Sequence, residues 1–573
     1  MSPLPTSSNL TQRAGDFATL PAALDYAALG QTGLNFYAVR GELSAALSYR
    51  ALRDEALALA RRLLGLGLRP GERVAILAHT HPDFVRLFFA CQYAGLVPVP
   101  MPLPFAFGGR EAYIAHIHRL AAQAEAAALF TPEPLFDWFA GATGAVWRLC
   151  STAARLAAAP ASDQKLPSPA PDDIAYLQFS SGSTRFPKGI VITQRALMAN
   201  VAGILQHGLC IRPDDRAVSW LPLYHDMGLV GFLLSPLAGQ VTVDLLATQD
   251  FARRPQLWLS LIANGRGTIS YSPSFGYDLC TRRSRAMDKA ALDLSSWRIA
   301  GIGGDMIRPA VLAGFAASFN QCGFAATAFL PSYGMAESTL AISFAPIGRG
   351  IETDTFDLDI MEQQGIAQPP AGPQARSRTV VLCGAPLPGH RVEVRGPAGE
   401  ILPARVAGRI FVHGPSVMSG YGGHTDDTSL SADGWLETGD LGYWLADTLV
   451  VTGRTKDLII INGRNIWPQD LEWSVERQVP QVRTGDVAAF SVEEDGQEVL
   501  VLAVEARGLA DDAAGQKLIE TVSDTVRSSH GLDSRIILVA PGSLPYTSSG
   551  KLSRTITRAH YLAATLPAIN LAA

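Results

Sequence analysis

From about residue 50 to residue 300 the chain alternates short apolar runs of strand length with longer stretches of helical patterning. "RVAILA" (73–78) precedes the helical "DFVRLFFACQYAGL", and "AALFT" (127–131) reads as a further short strand. Repeated strand-then-helix order predicts a layered α/β architecture with a largely parallel sheet. The 573 residues exceed what one core holds, because single cores stop growing near about 250–300 residues. Hydrophobic residues at 48% and charged residues at 17% give ample material for more than one core.

The Ala/Pro/Ser-rich run 157–173 reads as a connecting surface segment. After about 380 the texture changes to strands and turns ("TVVLCG", "HRVEVRGPAGE", "GRIFVHG"), which predicts a β-rich subdomain over 380–455. Residues 1–455 are thus expected to form a large N-terminal domain. Two strand candidates ("DVAAFSVE", "EVLVLAVEA"), a helix near 512–529 and a strand at 534–540 predict a small α+β C-terminal domain over 456–573. The segment 348–378 is acidic first and then rich in Pro, Gly and Gln. It lacks the glycine of a calcium loop. It is either a mobile surface loop or a functional one, since structureless loops beyond about 12–15 residues are uncommon.

A formal net charge of −5 gives no basic footprint, so nucleic acid is not expected as a partner. No 18-residue apolar stretch free of charges and breakers appears, and the start of the chain lacks a charged-then-apolar layout. The expectation is a cytoplasmic protein without stable membrane insertion. The six cysteines are dispersed, and His116 and His118 have no second ligand cluster beside them, so no zinc site is expected.

"FSSGSTRFPKG" (179–189) places glycines, hydroxyls and one lysine after the strand-like "IAYLQF" (174–179). Backbone N–H groups, the hydroxyls of Ser180, Ser181, Ser183 and Thr184, Gly182 and the Lys188 cation suit a phosphate-binding loop. It is not the mononucleotide P-loop, which needs Gly-Lys followed by Ser or Thr; here Pro187 precedes Lys188 and Gly189 follows it.

Further stretches join it: "SWLPLYHDMGLVG" (219–231), "GIGGDMIRP" (301–309), "PSYGMAES" (331–338), "GWLETGDLGY" (434–443), "GRTKDLIIINGRN" (453–465) and "LPYTSSGKLSRT" (544–555). In this order, over residues 40 to 555, they resemble the acyl-adenylate-forming superfamily of acyl-CoA synthetases, peptide-synthetase adenylation domains and luciferases.

The resemblance implies ATP and Mg2+ as cofactors. It makes Lys551 the cation between a carboxylate and the α-phosphorus, a junction of two anions where a positive charge is worth most. It makes Glu337 the magnesium ligand with help from Thr184, and Tyr333 the adenine-stacking ring. Asp440 would accept the ribose hydroxyls, having two acceptor oxygens, and Arg454 would contact ribose or phosphate. Gly303, Gly304, Asp305, Ser332, Gly334 and Met335 fall in the nucleotide-binding motifs. His225 falls between acyl tunnel and phosphates, and Lys456 at the hinge of a mobile C-terminal domain. Arg185, where many relatives carry Gly, adds a cation to the loop.

"LPLYHDMGLVG", "SSGSTRFPKG", "GRNIWPQDLE" and the segment opening "IETDTFDLD" are most similar to fatty acyl-AMP ligases. In that branch an inserted segment, here about 350–378, hinders use of CoA. The acyl group then passes to the phosphopantetheine of an acyl carrier protein, or a carrier domain of a polyketide or peptide synthase. Trp467 stands where a smaller aromatic or a histidine is expected before the proline. The alternatives are a fatty acyl-CoA synthetase and a non-catalytic lipid or nucleotide sensor. A serine hydrolase lacks its G-x-S-x-G elbow.

Overall fold

The computed structural model describes residues 2–104, 109–144, 146–180, 187–284, 287–422, 429–461, 463–494, 497–547 and 551–569. The predicted loop residues Ser181, Gly182, Ser183 and Thr184 lie outside them.

Strands that are apolar on both faces must be covered on both faces, and that requirement sets the centre of the fold. Gly33–Tyr37, Thr242–Leu246, Arg216–Ser219, Ile269–Ser272, Ile299–Ile302 and Phe329–Gly334 pair parallel in that order. Most of their residues are buried. Antiparallel strands Leu43–Ser48 at one edge, and Ala341–Phe344 with Ala385–Pro386 at the other, complete a nine-stranded sheet. Val97–Met101, Arg73–Leu77, Ala126–Phe130 and Leu149–Ser151 form a second, wholly parallel sheet. Helix Pro82–Ala94 follows the Arg73–Leu77 strand directly. His81 Nδ1 accepts from the Asp83 N–H at its start, Pro82 occupies its first turn, and Gly95 at φ +67° ends it. The layered α/β expectation holds.

Arg391–Arg395, Gly408–His413, Leu436–Leu445 and Thr448–Arg454 form an antiparallel sheet that sets Asp440 opposite Arg454. Beyond it, Val487–Glu494, Gln497–Glu505 and Arg535–Val539 make a three-stranded sheet beside helices Pro468–Gln478 and Asp512–His530. This part has its own apolar clusters, one running from Ile459 to Leu538. The main cluster ends at Leu449, so Lys456 falls between the two cores.

Segment 348–378 is not a structureless loop. Strand Thr353–Asp357 pairs antiparallel with Ser377–Val381, and between them Asp357 caps helix Leu358–Gln364, which Gly365 closes at φ +70°. Phe356, Leu358 and Met361 pack with Tyr443, Val450 and Trp467. Their partners lie about 80 to 110 positions further along the chain, beyond the reach of any local pattern.

No helix among the described residues is long and apolar enough to cross a membrane. His118 packs its ring against Phe139 and Trp147, and burial pushes the His116 pKa down to about 4.

Candidate active site

The ends of two neighbouring parallel strands open the site. Ile299–Ile302 runs into Gly303 and Gly304. A Cβ on Gly303 would sit 2.8 Å from the Ser332 carbonyl oxygen, and Gly304 has φ +79°, so both positions need glycine. Phe329–Gly334 supplies Ser332, Tyr333 and Gly334. The antiparallel sheet contributes Asp440 and Arg454 from paired strands. Lys551 arrives from the far end of the chain, its N–H donating to Thr547 Oγ1 at 3.2 Å.

These elements enclose a cavity of about 140 Å³ whose lining includes Gly304, Asp305, Ser332, Tyr333, Gly334, Asp440, Arg454 and Lys551. Eight predicted residues, spread over almost 250 positions, therefore meet in one cleft. Gly303, Met335, Glu337, His225, Ser180 and Lys188 do not line it, and Lys456 is exposed at the surface.

The electrostatics centre on Asp440, which is 8% exposed. The Tyr333 hydroxyl donates to Asp440 Oδ2 at 2.7 Å, and Arg454 Nε stands 3.4 Å from Oδ1. Oδ2 thus carries a donor already, while Oδ1 faces a cation, and both keep acceptor capacity. Asp440 in turn raises the Arg454 pKa. Burial, then Arg454, lowers the Lys551 pKa, while Asp305, Asp226 and Asp440 act the other way.

The phosphate-loop motif occupies a different setting from a strand–loop–helix. Ile174–Phe179 and Gly189–Thr193 pair antiparallel, tied at the loop end by Ser180 N–H to the Lys188 carbonyl at 2.9 Å. The Lys188 ammonium stands 5.0 Å from the ring centre of Tyr421, whose hydroxyl donates to Glu337 Oε1 at 3.2 Å. Burial is the main cause of a raised pKa at Glu337, and the Asp226 carboxylate adds to it. Asp226 is likewise raised by burial and relieved by Lys551. A divalent cation beside Glu337 would offset both the burial and the Asp226 carboxylate that disfavour its charge.

A second, apolar cavity of about 60 Å³ shares Gly304, Ser332, Tyr333 and Gly334 with the first. Met227, Phe232, Tyr271, Leu340 and Phe344 line it, with Asp226 at its polar side.

Tyr421 was not singled out from sequence; the only local signal is an aromatic between two glycines, Gly420 and Gly422. Among the described residues, His79, His81 and Asp83 form the one group with metal-ligand proximity. They lie at the start of helix Pro82–Ala94, where Asp83 already pairs with Arg86 at 3.0 Å.

The family described as AMP-binding enzyme matches residues 27–422. A protein of Caulobacter vibrioides that carries the provisional name acyl-CoA synthetase is 51% identical over 566 residues, 98% of each chain. The medium-chain-fatty-acid–[acyl-carrier-protein] ligase JamA of Moorena producens is 32% identical, covering 96% of each chain. A solved structure from a study of fatty acyl-adenylate ligases of E. coli and L. pneumophila superposes with TM-score 0.93 at 47% identity. It covers 97% of this chain and 99% of its own.

Proposed function

The chain belongs to the AMP-binding enzyme family, and on that premise we propose that it joins a fatty acid to AMP and hands the acyl group to a carrier-protein thiol. The observation that supports this reading is the meeting of a polar and an apolar cavity at Gly304, Ser332, Tyr333 and Gly334. A fatty acid in the apolar cavity would present its carboxylate to a nucleotide in the polar one.

In the first step a carboxylate oxygen bonds to the α-phosphorus of ATP, and the bond to the β-phosphoryl oxygen breaks, releasing pyrophosphate. Lys551 lies where it can offset the charge gathered between the two anions. Asp440, its position fixed by Tyr333 and Arg454, holds the ribose side. Magnesium, when bound, would neutralise phosphate oxygens, and Glu337 is the residue to hold it. In the second step the phosphopantetheine sulfur bonds to the acyl carbon and AMP leaves, the thiol proton passing to solvent.

The name of the Caulobacter vibrioides relative supports a second reading, with CoA as the acceptor. The folded segment 353–381 favours the first. Its helix carries Glu362, which accepts from Arg464 at 2.5 Å, and Arg376 donates to the Ser529 carbonyl at 2.9 Å. These contacts tie the segment to residues beyond Lys456 and oppose the swing that opens a thiol tunnel, a restraint that the larger interface of a docking carrier protein can offset better than free CoA can. A bias of a few kcal/mol makes the swung state rare.

The test is radiolabelled fatty acid with ATP and either CoA or a phosphopantetheinylated carrier protein. Acyl-AMP and acyl-carrier are expected, with little acyl-CoA. Efficient acyl-CoA synthesis would hand the assignment to the second reading.

A further inference from the structure

Thr339 sits two residues after Glu337 with φ +66° and ψ −58°. A β-branched residue rarely adopts that conformation. Leu340 N–H donates to the Ser338 carbonyl at 2.8 Å, so Thr339 is the centre of a γ-turn of the rare, strained hand. The turn lets strand Ala341–Phe344 fold back against Phe329–Gly334, with Ala341 opposite Gly334. Glu337 is carried on the short helical turn Ala336–Ser338 between the two strands.

Strain of this kind persists only where the surroundings over-determine it. Here they do. The Thr339 side chain is fully buried, and its hydroxyl donates to the Ser416 carbonyl at 2.8 Å. Ser416 Oγ lies 3.2 Å from Ser338 Oγ and 2.6 Å from His390 Nε2. Met418 N–H donates to the Glu337 carbonyl at 2.8 Å. Segment 416–418 thus grips Glu337 at its own carbonyl and at the two side chains that follow it, and Tyr421, three residues on, reaches the carboxylate itself.

We propose that Thr339 is a positioning residue: its strained turn, anchored by its hydroxyl to Ser416, fixes the Glu337 carboxylate for the divalent cation. The inference rests on the reading of Glu337 as the magnesium ligand. The hydroxyl anchor and the strain have opposite effects on stability, which separates positioning from simple support. Losing the anchor removes a buried hydrogen bond, whereas a glycine at 339 also removes the strain.

The test compares Thr339→Ser, Thr339→Ala and Thr339→Gly with Glu337→Gln in the full chain. Three quantities are read: the magnesium concentration giving half-maximal pyrophosphate exchange, Mn2+ binding by electron paramagnetic resonance with a non-hydrolysable ATP analogue, and the thermal midpoint. Thr339→Ala should raise the half-saturating magnesium about tenfold and weaken Mn2+ to match, and Thr339→Ser should restore most of the loss. Thr339→Gly should weaken the metal as much as Thr339→Ala does, with a higher thermal midpoint than that variant. Should Thr339→Ala not accumulate, Ser416→Ala removes the Oγ bridge and should raise half-saturating magnesium about threefold. Unchanged metal dependence in the Thr339 variants, with Glu337→Gln shifted, overturns the positioning role and leaves the magnesium reading standing. If Glu337→Gln itself is unshifted, the magnesium reading fails and the positioning role falls with it.

Discussion

In the proposed reaction Lys551 has to be charged to act, yet it is held where charge is disfavoured. Burial and Arg454 lower its pKa, while Asp305, Asp226 and Asp440 oppose them. The protonated form is the useful one, so activity is present below this lowered pKa and lost as pH rises through it. The alkaline limb of kcat/KM for pyrophosphate exchange, which reports the free enzyme, should therefore fall below the ordinary lysine value of about 10.4. Asp226→Asn removes one of the charges that uphold the ammonium, and the limb should move further toward neutrality. An unmoved limb in that variant would show that Asp226 does not act on the lysine. Lys551→Ala should lower the maximal adenylation rate by two or more decades, on the order of 3 kcal/mol of transition-state stabilisation. Tyr333, Asp440, Arg454 and Lys551 could be picked from short motifs because those motifs carry the resemblance to the acyl-adenylate-forming superfamily. That Arg454 pairs with Asp440, or that Asp226 acts on Lys551, could not be read, because partners are assigned by folding.

At the scale of elements, the segment 353–381 is the clearest case of what sequence leaves open. Runs such as 73–78 and 174–179 declare themselves as strands because nearly every residue is apolar. Four of the five residues of strand Thr353–Asp357 are polar, and its buried Phe356 joins a cluster that draws on the distant Tyr443, Val450 and Trp467. Its helix also buries the Glu362 carboxylate, 1% exposed, between Arg376 and Arg464. Removing one partner of a buried pair strands the other charge, which typically costs about 3–5 kcal/mol. Because Arg376 still faces Glu362, Arg464→Ala should destabilise the chain by less than that, about 2 kcal/mol, in denaturant unfolding. Adding Glu362→Gln to that variant should recover a large part of the loss. The same Arg464→Ala enzyme should gain acyl-CoA synthesis if the segment restrains the swing. Stability lost with no gain in CoA use would assign the contact to folding alone. Deleting the segment is the poorer test, since it would uncover Tyr443, Val450 and Trp467.

Across the whole molecule, the two cores meet at the start and the middle of helix Pro468–Gln478. Trp467 with Asp470, and Trp473 with Glu476, are each three residues apart, a spacing that sets two side chains next to one another. Arg378 reaches Asp470 at 2.9 Å and lies 5.3 Å over the ring of Trp467. Arg308 reaches Glu476 at 2.8 Å and lies 4.8 Å over the ring of Trp473. Each clasp joins one arginine from before Lys456 to one acid and one indole from after it. The layered fold is legible from the alternation of strand and helix patterns, but neither arginine carries any local mark of this duty. The clasps also make the protein its own optical gauge. A guanidinium stacked on an indole alters the colour and yield of its emission, and any parting of the two cores would strip both rings at once. Intrinsic fluorescence should shift when a phosphopantetheinylated carrier is added to the acyl-AMP form. Much of that change should vanish in Trp467→Phe. The swing could then be timed in stopped flow without attaching a dye.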